Sequence, residues 1–123
     1  MASRLRDIIH MIDNFSIQRD WSQFHSPKNL AVSISIESNE LLECFQWTDP
    51  SVETVEGDAE LRKKIQEELA DIFIYALRSC SILGLDPLDI ISMKLKSNEQ
   101  KYPIHLSKGN SSKYDKLSQG DAI

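Results

Sequence analysis

The feature that most constrains the fold is an apolar period in the second half of the chain. Six residues follow helical spacing there: Leu61, Ile65, Leu69, Ile72, Ala76 and Leu83. This spacing places them along one face of an α-helix, which must then be buried against other elements. The sequence therefore predicts a long helix over residues 58–83, with Gly84 as its C-terminal stop.

Two further segments carry the same signal. The first contains Leu5, Ile8, Ile9, Ile12 and Phe15, and it predicts an amphipathic helix over residues 4–19. The second begins at Asp86, a residue type that caps helix N-termini, with Pro87 in the first turn. It continues to Pro103, where a helix cannot proceed.

The segment over residues 27–47 is compatible with two structures. The strand period fits four residues near its start: Leu30, Val32, Ile34 and Ile36. Helical spacing fits a set that continues further: Leu30, Ile34, Leu41 and Phe45. Ser26 followed by Pro27 resembles a helix N-terminus, and the length is ordinary for a helix and long for a strand. We therefore predict a helix.

The polar segments define the domain organisation. Residues 48–58 are acidic, contain a proline and a glycine, and predict a loop. Residues 106–123 are rich in serine, lysine and glycine, and predict a polar, partly disordered tail. With no convincing strand elsewhere, residues 1–105 are expected to form an all-α domain, a four-helix bundle.

Composition and charge exclude several classes of function. The chain has 123 residues, 41% of them hydrophobic, and a net charge of −5, which argues against binding a nucleic-acid polymer. No apolar run is long enough for a membrane span, and the N-terminus has no apolar stretch typical of a signal peptide. Cys44 and Cys80 lie in apolar segments, as core cysteines do. We expect a cytoplasmic protein.

Two pairs of carboxylates interrupt the apolar helices. Glu37 and Glu40 are three residues apart, as are Glu68 and Asp71, so each pair shares a helix face. Like charges placed in this way repel, and a cation between two facing helices would remove the repulsion. Four oxygen ligands suit Mg²⁺, with Mn²⁺ as a substitute. The alternative is a solvated acidic face, as expected for Glu60 and Glu67.

The sequence segments around these pairs resemble those of a known family. IESNELLECFQW (36–47) followed by EELADIFIY (67–75) resembles the Glu-x-x-Glu and Glu-x-x-Asp signature of the MazG-like nucleoside triphosphate pyrophosphohydrolases. RDWSQFHSPKNL (19–30) and SNEQKYPIHLSKGNSSKY (97–114) resemble the dCTP pyrophosphatase branch of that superfamily. The similarity covers residues from about 5 to 115.

The resemblance implies Mg²⁺-dependent hydrolysis of a nucleoside triphosphate to the monophosphate and pyrophosphate. It implies that Glu37, Glu40, Glu68 and Asp71 are catalytic metal ligands. Six further residues match positions that bind substrate: Trp21, His25, Trp47 and Tyr75 around the base and sugar, with Lys94 and Asn98 near the triphosphate and nucleoside. The active form would be a homodimer or a homotetramer, a dimer of dimers.

Several roles have alternatives. Glu43, one helical step beyond Glu40, either positions the attacking water as an outer ligand or is a surface glutamate. The aromatic residues stack on a base or pack in the core, and His25 is equally compatible with an ordinary loop. Ser38 and Asn39 differ from the small apolar residue and glycine common in relatives, which could alter the depth of the pocket.

These observations give one main hypothesis and two rivals. The main hypothesis is an all-α pyrophosphohydrolase that removes unwanted nucleotides from the pool, with dCTP or a 5-modified dCTP favoured. The nearest rival keeps the chemistry and changes the nucleotide to dUTP, dATP or a damaged one. The other rival is a non-catalytic helical interaction protein whose acidic faces are only solvated.

Overall fold

Helices make up the regular structure of residues 2–120, the part of the chain that this computed structural model describes. The elements are α1 (Ala2–Gln18), a 3₁₀ turn (Ser22–Phe24), α2 (Pro27–Glu43), α3 (Val52–Gly57), α4 (Ala59–Leu83), α5 (Pro87–Lys101), α6 (Ile104–Ser107) and α7 (Tyr114–Gly120). Within this range there is no β-strand. The predicted all-α class is confirmed, and the segment with a strand period is helical.

The starts of α2 and α4 and the end of α4 lie at residues whose chemistry favours a helix boundary. Ser26 Oγ accepts a hydrogen bond of 3.1 Å from the backbone N–H of Asn29 at the start of α2. Asp58 Oδ1 accepts one of 3.1 Å from the N–H of Leu61 at the start of α4. Gly84 ends α4 with φ 67°, the left-handed conformation of a glycine C-cap.

Two predicted boundaries were wrong. The helix predicted over 27–47 ends at Glu43, because the N–H groups of Phe45 and Gln46 bond the carbonyls of Leu42 and Glu43, three residues back. These tighter bonds terminate the α-helical pattern. The acidic segment 48–58, predicted to be a loop, contains α3, whose first turn is capped by Ser51.

Part of the predicted polar tail is regular structure. It contains α7, and Leu117 on this helix is only 4% exposed. The ring of Tyr114 lies edge-on to that of Tyr102, with 6.4 Å between centroids. A few apolar and aromatic side chains therefore order a segment whose average composition is polar. Residues 121–123 of the predicted tail lie outside the described residues.

The chain contains two compact units, one ending at Leu85 and one beginning at Asp86. In the first unit, α2 and α4 make the most extensive helix–helix contact, and α1 also packs on α4. Leu30 of α2 is 1% exposed. In the second unit, α6 packs against α7. The predicted domain boundary at residue 105 stays a prediction.

Two further expectations concern the cysteines and the possibility of a membrane span. Cys44 and Cys80 are both half-buried and do not form a disulfide, as their apolar context predicts. Among the described residues, none of the helices combines the length and the apolar content that a membrane crossing requires.

Two glycines allow the cost of the left-handed conformation to be measured. A Cβ at Gly84 or at Gly57 would meet no atom within 4 Å, so neither substitution by alanine causes a clash. Of these two glycines, only Gly84 has a positive φ. We expect Gly84→Ala to lower the free energy of unfolding by about 1–2 kcal/mol and Gly57→Ala, at a helical position, to leave it unchanged or raise it by up to about 1 kcal/mol, as measured by urea denaturation. Equal effects would contradict this account.

Candidate functional site

The packing of α2 on α4 brings three carboxylates together. Oxygen atoms of Glu37 and Glu40, from α2, and of Glu68, from α4, all lie within 4.8 Å of one another. The spacing of three residues on α2 places the first two side chains on the face that meets α4. The sequence predicted this convergence from the two Glu-containing pairs. Asp71, the fourth predicted ligand, lies one turn beyond Glu68 and lines an adjoining cavity.

The surroundings of these carboxylates disfavour their charged form. Glu37 Oε2 and Glu68 Oε2 are buried and have no hydrogen-bond partner. Burial, together with the adjacent carboxyl groups of Glu68, Glu40 and Asp71, raises the pKa of Glu37 to about 7. The interaction with Glu37 lowers the pKa of Glu68. Burial and the charges of Glu40 and Asp71 raise that pKa by more, so the net shift is upward.

A cation would offset both the unpartnered oxygen atoms and the repulsion among the carboxyl groups. Buried oxygen atoms without a donor are costly, and several carboxylates in one place repel one another. A divalent ion supplies positive charge and accepts oxygen ligands in place of hydrogen-bond donors. An all-oxygen donor set matches hard cations such as Mg²⁺ or Mn²⁺. The residues therefore fit such an ion.

A cavity of about 510 Å³ adjoins the cluster. Most of its lining is apolar or aromatic and comes from α1, the following turn and α4: Ile8, Met11, Ile12, Phe15, Ser16, Trp21, His25, Asp71, Ile74, Tyr75 and Arg78. Its size and its few polar groups are typical of a small-molecule pocket.

Tyr75 connects the cavity to the carboxylates. It lies one turn after Asp71 on α4, and both residues line the cavity, as their spacing predicts. Burial, followed by the negative charges of Glu37, Asp71 and Glu40, raises the pKa of the Tyr75 phenol. Tyr75 therefore keeps its proton at neutral pH and can donate a hydrogen bond at the border between the cavity and the cluster.

A tight turn after α1 positions the aromatic wall of the cavity. Asp20 has φ 56°, and the N–H of Trp21 bonds back to the carbonyl of Ser16 at 2.9 Å. The ring of Trp21 meets that of Phe15 edge-on, with 5.5 Å between centroids, and that of His25 with 6.4 Å. The turn thus places aromatic faces beside the cavity.

Arg78 connects three segments around this cavity and is 7% exposed. Its Nη1 donates to Asp13 Oδ1 of α1 at 2.8 Å, and its Nη2 donates to Ser22 Oγ of the 3₁₀ turn at 3.1 Å. Its Nε donates to Nδ1 of His25 at 3.1 Å. Burial and the charge of Arg78 lower the pKa of His25, which favours a neutral imidazole.

Two of the residues predicted from the sequence do not join this arrangement, and two more belong to the other unit. Trp47, beyond the end of α2, is 87% exposed and does not line the cavity. Glu43, the last residue of α2, is exposed and is not part of the carboxylate cluster. Lys94 and Asn98 lie on α5, in the second unit. Their roles stay predictions.

Sequence reasoning missed Arg78 and its partners Asp13 and Ser22. An arginine on a long helix is most often a surface residue, so the residue type alone did not indicate a role in the site. Its position did contain one, because Arg78 follows Tyr75 by three residues and therefore shares its helix face. The apolar residues of α1 were predicted only to share one face of an amphipathic helix, and several of them line the cavity.

Comparison with known proteins agrees with the resemblance in the sequence. The model of the MazG-like family matches residues 32–117. The chain is 37% identical to dCTP pyrophosphatase 1 of Mus musculus over 119 residues, which cover 94% of this chain and 69% of that protein. Its identity to dCTP pyrophosphatase 1 of Homo sapiens is 37% over 118 residues, with the same coverage.

A solved structure supports the same relationship. The crystal structure of a pyrophosphatase from Archaeoglobus fulgidus matches the fold with a TM-score of 0.74 and 41% sequence identity. The match covers 81% of this chain and 93% of that one. Because the family model spans most of the chain and the sequence relatives cover nearly all of it, this chain belongs to the MazG-like family.

Proposed function

We propose that this chain is a Mg²⁺-dependent nucleotide pyrophosphohydrolase that converts a dNTP, with dCTP favoured, to the dNMP and pyrophosphate. The observation that carries the proposal is the half-buried carboxylate cluster of Glu37, Glu40 and Glu68 beside an aromatic cavity. Such a site combines a cluster that can bind a cation with a cavity that can bind a nucleobase. The names of the relatives in mouse and human favour dCTP as the nucleotide.

The ion would be held by Glu37, Glu40 and Glu68, with Asp71 as the fourth ligand. The unpartnered oxygen atoms Glu37 Oε2 and Glu68 Oε2 support this assignment. When bound, Mg²⁺ neutralises phosphate charge and lowers the pKa of a coordinated water. Without such an ion, an acidic protein of net charge −5 would repel a triphosphate.

The residues of the cavity would bind the nucleoside. Trp21 presents an aromatic ring on which a base can stack, worth roughly 1–3 kcal/mol in comparable sites. His25 and Tyr75 line the same cavity and offer hydrogen bonds to base or sugar. The charges of the carboxylates also raise the pKa of Tyr75, so the cluster lies close to this side of the cavity. A nucleoside bound in the cavity would therefore have its phosphates close to the cluster.

The functional unit is proposed to be a homodimer or a dimer of dimers. A single chain exposes large apolar side chains on packed helices of the first unit, including Leu42 of α2 and Phe73 of α4 at 64% each. Trp47 is exposed as well. Apolar surface of this extent is typical of an interface. A second copy would cover it, and a cytoplasmic location suits a nucleotide-pool enzyme.

The first prediction concerns the carboxylates. Glu40→Gln and Asp71→Asn are expected to lower turnover more than roughly a hundredfold, because even the partners of metal ligands are worth 10–100-fold. Glu67→Gln is the matched control, since Glu67 neighbours Glu68 but points to solvent, near Lys63 at 3.9 Å. The measurement is pyrophosphate release from a panel of NTPs and dNTPs, with Mg²⁺ and with EDTA.

The results of this panel separate the rival functions. Mg²⁺-dependent turnover that favours dCTP supports the whole proposal. Mg²⁺-dependent turnover of dUTP, dATP or another nucleotide keeps the chemistry and removes the choice of base. No release from any nucleotide would favour a non-catalytic helical protein, and near-normal activity of Glu40→Gln would refute the metal assignment.

The second prediction is a dependence of stability on pH in the absence of metal. The pKa of Glu37 rises from an ordinary 4.5 to about 7 on folding. The folded state therefore binds this proton more tightly, so its contribution to stability is complete below about pH 4.5 and is lost as the pH rises through about 7. In EDTA, the stability of wild type relative to Glu37→Gln should decrease across this window.

The control for that prediction is the ion itself. At pH 8, Mg²⁺ should raise the unfolding midpoint of wild type more than that of Glu37→Gln, because the ion binds the ionised carboxylate in the folded state only. A wild-type stability that tracks Glu37→Gln at every pH would contradict the raised pKa.

The third prediction concerns assembly. Wild type should sediment as a dimer or tetramer at micromolar concentration, whereas Phe73→Asp should shift it toward monomer, because a charge cannot be buried there unpaired. Lys64→Ala, on an exposed part of the same helix, should leave the mass unchanged. Circular dichroism verifies that Phe73→Asp stays helical. A monomeric wild type would contradict the proposed assembly.

A further inference from the structure

The cavity contains a histidine whose proton position follows from its partner. Arg78 Nε always carries a hydrogen, and it donates that hydrogen to Nδ1 of His25 at 3.1 Å. A nitrogen that accepts a hydrogen bond carries a lone pair. In a neutral imidazole the proton must then reside on the other nitrogen, Nε2.

Arg78 has little freedom to release this contact. Its other two nitrogens donate to Asp13 and Ser22, and its side chain is 8% exposed. A guanidinium cannot act as an acceptor, so it cannot bond an Nδ1 that carries a proton. The lowered pKa of His25 agrees with a neutral ring. The geometry thus disfavours both the imidazolium and the alternative tautomer.

The opposite nitrogen remains available. His25 lines the cavity, and within residues 4–117 no side-chain or backbone group forms a hydrogen bond with its Nε2. Its ring is kept in place by the edge contact with Trp21 and by the backbone N–H of His25, which bonds the carbonyl of Ser22 at 3.2 Å. The cavity therefore contains an oriented N–H donor that has no partner among these residues.

We propose that Arg78 is a positioning residue that holds His25 as a neutral hydrogen-bond donor, so that the cavity selects a nucleotide with an acceptor atom, such as a base carbonyl oxygen, opposite Nε2. This proposal rests on the proposed function for the identity of the ligand. The protonation state of His25 is a property of the free protein and does not depend on the proposed function.

The first test is therefore spectroscopic and needs no substrate. Nitrogen-15 NMR of the histidine side chains, on the metal-free full chain at pH 7.5, should show a pyridine-like Nδ1 and a pyrrole-like Nε2 for His25. His25→Gln assigns the signals among the three histidines. Arg78→Lys should give averaged shifts, because the fixed donor to Nδ1 is lost. A protonated Nδ1 in wild type would overturn the proposal, whether or not the protein hydrolyses any nucleotide.

The second test separates positioning from simple support of the fold. Arg78→Lys should raise KM for dCTP about tenfold, the value of one lost hydrogen bond, and change kcat little. Asp13→Asn keeps an oxygen acceptor for Arg78 and removes the ion pair. It should lower the unfolding temperature while KM and the His25 signals stay as in wild type. If both variants change KM equally, Arg78 only supports the fold.

A double variant completes the test. Because glutamine retains a donor near the position of Nε2 whatever Arg78 does, His25→Gln should make KM insensitive to Arg78→Lys. Independent, additive effects of the two substitutions would mean that Arg78 does not act through His25.

Discussion

The packing of α2 against α4 is the contact on which the site depends. It sets Glu37 and Glu40 of α2 against Glu68 of α4, and Leu30 of α2 is buried. Apolar burial favours the contact, while the convergence of carboxyl groups opposes it. Burial and the neighbouring carboxyl groups raise the pKa of Glu37 for the same reason. A fold that holds acids together in this way is stable near neutral pH when a proton or a cation accompanies them.

The second organising contact is the set of hydrogen bonds from Arg78. A single buried guanidinium joins α1, the 3₁₀ turn and α4, and it does so at the wall of the cavity. An apolar residue at this position would leave the carboxylate of Asp13 on α1 without its partner. Only a fixed cation with several donors also determines where the proton on His25 resides. The same side chain can thus contribute to the fold and to recognition.

The two halves of the candidate site follow different physical rules. The carboxylate cluster places charge where burial disfavours it, and this suits an ion that provides the opposite charge. The cavity beside it is lined largely by apolar and aromatic groups from α1 and α4, which suit a base. Tyr75 and Asp71 lie at the border, one turn apart. A nucleotide, with a charged end and an aromatic end, has the same division.

The sequence by itself determined the four long helices and the pairing of the carboxylates, because both follow from local spacing along one helix. Capping side chains at Ser26, Asp58 and Asp86 likewise act within one turn. The tertiary structure alone decided which α1 residues line the cavity and that Arg78 contacts His25, 53 residues away in sequence. It also ordered α7 around Leu117. Such contacts depend on how distant segments pack, and no local period encodes the distance between them.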